Sequence, residues 1–142
     1  MRTNLPVSHK EYFFPESQLL VSTTDARGHI THCNTAFAEV SGYSYDELMG
    51  QPHNLIRHPD MPPEAFKDMW ATIGRGRPWS GTVKNRRANG DHYWVEANVT
   101  PILDNGKPVG YMSVRFRPTR EQVTAAEELY AKVAQERASG HH

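Results

Sequence analysis

Two Asn-Gly dipeptides, Asn89-Gly90 and Asn105-Gly106, each flanked by alternating polar and apolar residues, constrain this chain more than any other feature. Asn-Gly supplies the positive φ angles that the tightest hairpin turns need, so the pattern predicts three consecutive antiparallel strands. Alternation then sorts the side chains by face. Trp79, Gly81, Val83 and Asn85 share one parity. Tyr93, Val95, Ala97 and Val99 form an apolar row, opposed by Trp94, Glu96, Asn98 and Thr100. In the third strand Met112, Val114 and Phe116 oppose Tyr111, Ser113, Arg115 and Arg117. Trp94 and Tyr111 are expected on the outer face of the sheet, where exposed aromatics suggest an interface. Arg86 and Arg87, just before the first turn, are expected as solvated charge.

The chain before this meander predicts a β-hairpin followed by short helices. Residues 19–24 are rich in β-branched side chains, Asp25-Ala26-Arg27-Gly28 has the make-up of a reverse turn, and residues 29–33 return. Asn34 can cap a helix that buries Phe37 and Val40 and stops at Gly42. Ser44 and Glu47 spell a capping box for another, closed by Gly50. Next comes GQPHNLIRHPDMPPEAFKDMW, residues 50–70, with prolines at 52, 59, 62 and 63. These remove backbone donors and disfavour helix at the residues before them, so residues 53–61 can form only short helical turns. Pro62 and Pro63 suit the first turn of a helix with Asp60 near its N-cap. Phe66, Met69, Trp70 and Ile73 then recur on one helical face until Gly74.

Strand, strand, short helices, a longer helix and a three-stranded meander imply an α+β fold, one sheet covered by helices on a single face. Residues 1–17, with the cluster Tyr12-Phe13-Phe14, are expected as an N-terminal cap on a main domain of residues 18–118. Residues 119–138 read as a helix with Val123, Ala126, Tyr130 and Val133 at coiled-coil-like spacing, a connector or a dimer helix. Residues 139–142 are a tail or the remnant of a tag. The 142 residues carry 16 Lys and Arg against 16 Asp and Glu, which argues against nucleic acid or an anionic membrane as partner. The single cysteine, Cys33, excludes an internal disulfide framework and fits a reducing compartment. No apolar run reaches membrane-spanning length, and the N-terminus lacks the core of a signal peptide. The expectation is a soluble, cytoplasmic domain with no membrane insertion of its own.

The segments NTAFAEVSGYSYDEL, GQPHNLIRHPDMP, PWSGTVKNRRANGDHYWVEANVTPI and VGYMSVR, in this order, resemble the PAS domains. Within that family the RHPDMP and KNRRANGDHYW blocks are most similar to the sensory domains of aerotaxis receptors, the Aer-like chemoreceptors. Ala88 departs from the pattern, standing where a lysine is expected. The resemblance covers residues 12–118 and implies a five-stranded antiparallel sheet in the order 2-1-5-4-3 with helices over one face. It further implies a pocket holding FAD noncovalently, whose redox state is passed to a HAMP and chemotaxis signalling region outside this chain. A homodimer, and a cytoplasmic location as part of a membrane-anchored receptor, go with it.

An isoalloxazine ring needs an apolar or aromatic slot, hydrogen-bond partners for its edge, and a group that answers charge arriving on reduction. Asn85, placed by parity beside Trp79, can serve the ring edge through its carboxamide, and Trp79 can lie against the ring. Asn34 is a second amide candidate or simply a helix cap. Arg57 can neutralise a pyrophosphate or a reduced ring, or it braces a loop. His58 can exchange a proton, with Asp60 fixing its tautomer or capping the helix. Spacing puts Trp70 in the core, and the resemblance makes it a pocket residue.

Rival readings remain at this point. A haem sensor would use His53 or His58 as axial ligand. A flavin-cysteine photosensor is opposed by the position of Cys33. A ligand-free dimerisation module would use the outer sheet face and the end helix. Catalysis is disfavoured because no nucleophile, base and orienting group share a motif, and no metal-ligand spacing is present.

Overall fold

The computed structural model of the chain describes residues 7–139, and its framework is one antiparallel sheet. The strands are β1 (Leu20–Asp25), β2 (Ile30–Cys33), β3 (Trp79–Arg86), β4 (His92–Asp104) and β5 (Lys107–Phe116). They lie in the order β2-β1-β5-β4-β3, as the resemblance implied. Asn105 and Gly106 both take positive φ, 51° and 78°, so the β4–β5 hairpin closes as the Asn-Gly signal predicts. Between β2 and β3 run α1 (Thr35–Ser41), α2 (Tyr45–Leu48), a 3₁₀ turn (His53–Ile56) and α3 (Pro63–Ile73). A last helix, α4 (Arg120–Ala138), follows β5.

The helix starts follow local chemistry. Asn34 accepts from the backbone N–H of Phe37 to cap α1, and Ser44 with Glu47 closes a reciprocal capping box on α2. α3 starts on Pro62 and Pro63 without a side-chain cap, because two residues with fixed φ already set its first turn. Asp60 is therefore not the cap expected of it. Its carboxylate takes the ammonium of Lys84 at 2.9 Å instead.

The helices before β3 cover one face of the sheet, and Leu20, Ile30, Phe37, Val40, Leu48, Ile56, Tyr93 and Val95 make the core there. Phe14 is buried in the same core, while Phe13 stays exposed. The N-terminal segment runs beside the start of β4: Tyr12 N–H donates to His92 O at 2.7 Å, and His92 N–H to Lys10 O at 2.9 Å. It takes the place next to β4 that β5 vacates after Phe116.

Three expectations are corrected. Tyr111 lies on the covered face with Ser113 and Arg115, while Met112 and Phe116 of the opposite parity are exposed. Arg86 is buried, and Arg87 donates to the carbonyls of Val40 (2.7 Å) and Glu39 (3.1 Å) while stacking on Tyr12 at 3.9 Å. Arg87 thus ties the hairpin tip to the end of α1 and the N-terminal segment, and the buried Arg86 beside it does not stand in solvent either. Finally, Val123 and Ala126 of α4 are buried against Trp94 on the outer face of their own sheet, and Tyr130 OH donates to Thr82 O at 2.5 Å. That stripe is engaged within the chain and is not an open coiled-coil seam. The first six residues of the expected cap and residues 140–142 of the expected tail lie outside the described residues.

Candidate functional site

A cavity of about 420 Å³ opens between the covered face of the sheet, α3 and the 3₁₀ turn, within the roughly 300–1,000 Å³ typical of small-molecule sites. The sheet contributes alternate side chains of β3, β4 and β5: Trp79, Val83 and Asn85, then Ala97 and Val99, then Tyr111, Ser113 and Arg115. The helix contributes Phe66, Met69, Trp70 and Ile73, so the periodic stripe faces the cavity as much as the core. Trp70 stands edge-on to Tyr111, ring centres 5.4 Å apart. The Trp79 indole N–H donates to Asp68 at 3.0 Å, which fixes the ring over Gly81, where a methyl group would collide with it.

Four expected site residues meet in this one cavity. Trp70, Trp79, Asn85 and Arg57 all line it. Arg57 bridges to Asn85 through the backbone and lays its guanidinium 4.2 Å above Phe66, and Asn85 hydrogen-bonds Tyr93.

The other three do not line it. Asn34 accepts from Val21 N–H (3.1 Å) and Phe37 N–H (2.9 Å) and donates to Leu19 O (2.9 Å), so its amide ties β1 to α1. His58 is buried behind the loop, its ring 6.1 Å from that of His92. Its Nδ1 accepts the backbone N–H of Asp60 at 3.0 Å, so the backbone, not the Asp60 carboxylate 3.8 Å away, selects the Nε2–H tautomer. Burial, with Lys84 adding to it, pulls the His58 pKa down to about 4. Asp60 is exposed, and the Lys84 hydrogen bond holds its carboxyl below the usual carboxylate range.

The deep wall holds a group that the sequence reading passed over. Arg115 is 5% exposed; it donates to Ser22 Oγ at 3.2 Å and to His53 Nε2 at 2.7 Å, and its guanidinium lies 5.2 Å from the Phe37 ring centre. A guanidinium can only donate, so His53 must be neutral with its proton on Nδ1. Burial, with the Arg115 charge beside it, takes the His53 pKa down to about 3. Burial lowers Arg115 itself to about 10, which leaves it charged at neutral pH. Among the described residues no carboxylate pairs with it. Beside it, the buried Ser113 hydroxyl has no hydrogen-bond partner.

Among the described residues Arg27, Arg57, Lys67 and Arg115 all line the cavity, and no Asp or Glu does. In a chain of zero net charge this is a local excess of positive charge around an aromatic slot. Cys33 is buried elsewhere, and no cysteine is on the cavity wall. Among the described residues no group of three or more His, Cys, Asp or Glu side chains is placed to hold a metal ion. None of the described helices is long and apolar enough to cross a membrane.

Comparison with known proteins places this site in a family. A PAS-fold profile matches residues 30–115. The chain is 60% identical over 111 residues to the aerotaxis receptor of Escherichia coli K12, covering 78% of this chain and 22% of that one. It is 34% identical over 103 residues to the nitrogen fixation regulatory protein of Klebsiella pneumoniae, covering 70% and 21%. The chain thus spans about a fifth of the length of these curated relatives. The dark structure of the blue-light photoreceptor Aureochrome1 LOV superposes with a TM-score of 0.68 at 24% identity, over 82% of this chain and 86% of that one. With the strand order, the profile match shows that the chain belongs to the PAS-fold family, in a version similar to that of the aerotaxis receptor.

Proposed function

We propose that this domain binds FAD noncovalently in the cavity and serves as the redox-sensing input of an aerotaxis or energy-taxis receptor. The single observation that carries the reading is the wall itself: an aromatic slot whose charged side chains, among the described residues, are all cations, with an unpartnered Ser113 hydroxyl on the sheet side. A flavin is flat, apolar over its faces and polar along one edge, so the residues present fit it. When bound, the flavin supplies reversible electron uptake. Trp70, Tyr111 and Trp79 would enclose its faces and exclude water. Asn85 would serve the hydrogen-bonding edge, and the Ser113 hydroxyl would gain the partner it lacks. Arg115, already charged and desolvated, would favour any state of the ligand that is more negative, since its only hydrogen-bond acceptors here are neutral.

His53 holds Arg115 in place as a neutral acceptor rather than acting as a proton donor. Such a site biases the domain only through differential affinity for the two redox states. β5 offers a route outward, because Ser113 and Arg115 on its inner face alternate with Met112, Val114 and Phe116 on the outer one. In this reading the outer face addresses a HAMP and signalling region beyond this chain, the domain works on the cytoplasmic side of a membrane-anchored receptor, and a homodimer is its working state. Output is a conformational change, not turnover.

A haem occupant is less well supported. His53 Nε2 already accepts from Arg115, and His58 lies off the cavity. A thiol-adduct photosensor lacks its cysteine on the wall. The test is the visible spectrum of freshly purified protein, followed by identification of the nucleotide released on heating. Two bands in the blue and near ultraviolet with FAD in the supernatant are expected; a Soret band, or failure of the apo chain to take up any added flavin, would reject the proposal.

A further inference from the structure

We infer that the tip of the β4–β5 hairpin, with the turn between α3 and β3 beside it, is a docking surface for an anionic lipid bilayer. The inference is independent of what fills the cavity.

The hairpin outruns its sheet. β3 pairs with β4 no farther than Trp79 with Val99, and β1 pairs with β5 no farther than Asp25 with Gly110. Beyond those pairs Leu103 meets Pro108 and Asp104 meets Lys107, so the two strands continue as a ribbon paired only with each other. The register slips after Ile102, which leaves Val109 as the extra residue of a bulge. On such a ribbon alternation no longer hides every second side chain: Ile102 (40% exposed), Leu103 (50%) and Val109 (51%) all stand in water. Aliphatic side chains gathered on one projecting tip are a liability unless something covers them.

The neighbouring charges indicate what does. Gly76 lies so close to Leu103 that a Cβ on it would stand 3.7 Å from a leucine methyl group, and the exposed Arg75 and Arg77 flank that glycine. The backbone N–H groups of both arginines donate to Thr72 O, at 3.2 and 3.3 Å, which ties this turn to the end of α3. Lys107 is exposed on the tip itself, and Arg27 is exposed on the β1–β2 turn at the same end of the sheet. Among the described residues none of the four forms an ion pair. Two carboxylates stand on these turns. Asp25 is engaged by the backbone N–H groups of Arg27 and His29 and by the His29 ring, and Asp104 lies opposite Lys107 in register. Cations therefore outnumber anions two to one around the exposed aliphatic groups, in a chain whose total charge is balanced.

This arrangement matches a bilayer surface. Aliphatic side chains can enter the acyl boundary while long cationic ones stay in the headgroup layer and meet lipid phosphates. A protein partner is a poorer match. Residues 100–110 carry no aromatic side chain of the kind that anchors protein interfaces, and the bulge and Pro108 interrupt the row of donors an added strand would need. The contact is weak by nature, yet it suffices for a domain already tethered near a membrane, as the receptor proposed above would hold it.

The experiment sediments the 142-residue chain with vesicles of phosphatidylcholine alone, or of phosphatidylcholine mixed with phosphatidylglycerol, at low and high salt. The wild type should bind the mixed vesicles at least ~10-fold more tightly than the neutral ones, and salt should narrow the gap. Arg75→Gln/Arg77→Gln/Lys107→Gln should remove most of that gap, and Ile102→Ser/Leu103→Ser/Val109→Ser should weaken binding to mixed vesicles about 10-fold. Lys10→Gln/Lys132→Gln, which removes exposed cations from the N-terminal segment and α4, should bind as the wild type does. All these side chains are exposed, and circular dichroism with urea midpoints checks that each variant is folded. No binding to mixed vesicles, equal binding to both kinds, or binding unchanged by either triple substitution overturns the inference. A dimer that dissociates in the aliphatic variant, seen without vesicle binding, would give the tip to a second copy and overturn it as well.

Discussion

Arg115 and His53 share a hydrogen bond that tolerates only one protonation pattern, and this fixes the sign of a pH effect. In the folded chain the His53 pKa is about 3, against 6.5 for a free imidazole, so between these values the unfolded chain takes up the proton more readily. The stability contributed by the neutral ring is complete above pH 6.5 and is lost as pH falls toward 3. His58, at about 4, acts in the same direction. Urea midpoints should therefore fall steadily from about pH 7 to about pH 4.5, and fall less steeply in His53→Gln, whose carboxamide can accept from Arg115 without titrating. A wild-type midpoint independent of pH over that range would contradict a neutral, desolvated His53. Asn34 is the second residue with a separable effect. Its three hydrogen bonds join β1 to the start of α1, so Asn34→Ala should cost about 2 kcal/mol in urea unfolding, a cap plus stranded backbone groups. Any loss of ligand should track that instability and be restored by a stabilising osmolyte, since the residue does not line the cavity.

At the scale of elements, α4 offers the sharpest test, because the structure lays its apolar stripe on Trp94. A chain ending at Pro118 should keep the five strands but expose Trp94, giving a red-shifted tryptophan emission, stronger acrylamide quenching and a lower urea midpoint. If emission and midpoint stay unchanged, the helix is not docked in solution. The Asn105-Gly106 turn, the capping box of α2 and the two-residue alternation are legible in the sequence because each depends on neighbours within a few positions. Alternation separates the two faces of a strand, but it does not say which face meets the helices. Parity puts Ser113 and Arg115 on the same side as Tyr111, which is expected on the outer face, yet all three line a cavity, where polar groups belong on an inner face. Arg86 and Arg87 depart from expectation for a related reason: Arg86 is buried, and the acceptors of Arg87, the carbonyls of Glu39 and Val40, lie on a helix more than 40 residues earlier. The cavity stripe on α3 was visible as periodicity, and only the third dimension separates lining a hole from filling a core.

On the scale of the whole molecule, balanced charge hides a local imbalance. The chain carries 16 cationic and 16 anionic side chains, but among the described residues the cavity wall holds four cations and no carboxylate. A buried guanidinium with only neutral partners is costly in the absence of a ligand, and its replacement by an apolar side chain of similar length is often neutral or stabilising. Arg115 therefore ties stability to occupancy. In the apo state Arg115→Met should melt no lower than the wild type, apart from the loss of its hydrogen bonds to Ser22 and His53. With ligand present the order should invert. A ligand at about a hundred times its dissociation constant stabilises the folded state by about 2.7 kcal/mol, and the variant should forfeit most of this if Arg115 answers the ligand's negative charge. Thermal melts of both proteins with and without FAD measure the four states of the cycle. Equal stabilisation of the two by FAD would remove Arg115 from the site's chemistry and leave it a structural oddity of the core. A variant that is more stable empty and less stable filled would identify a residue retained at a cost to folding for what it does to a bound anion.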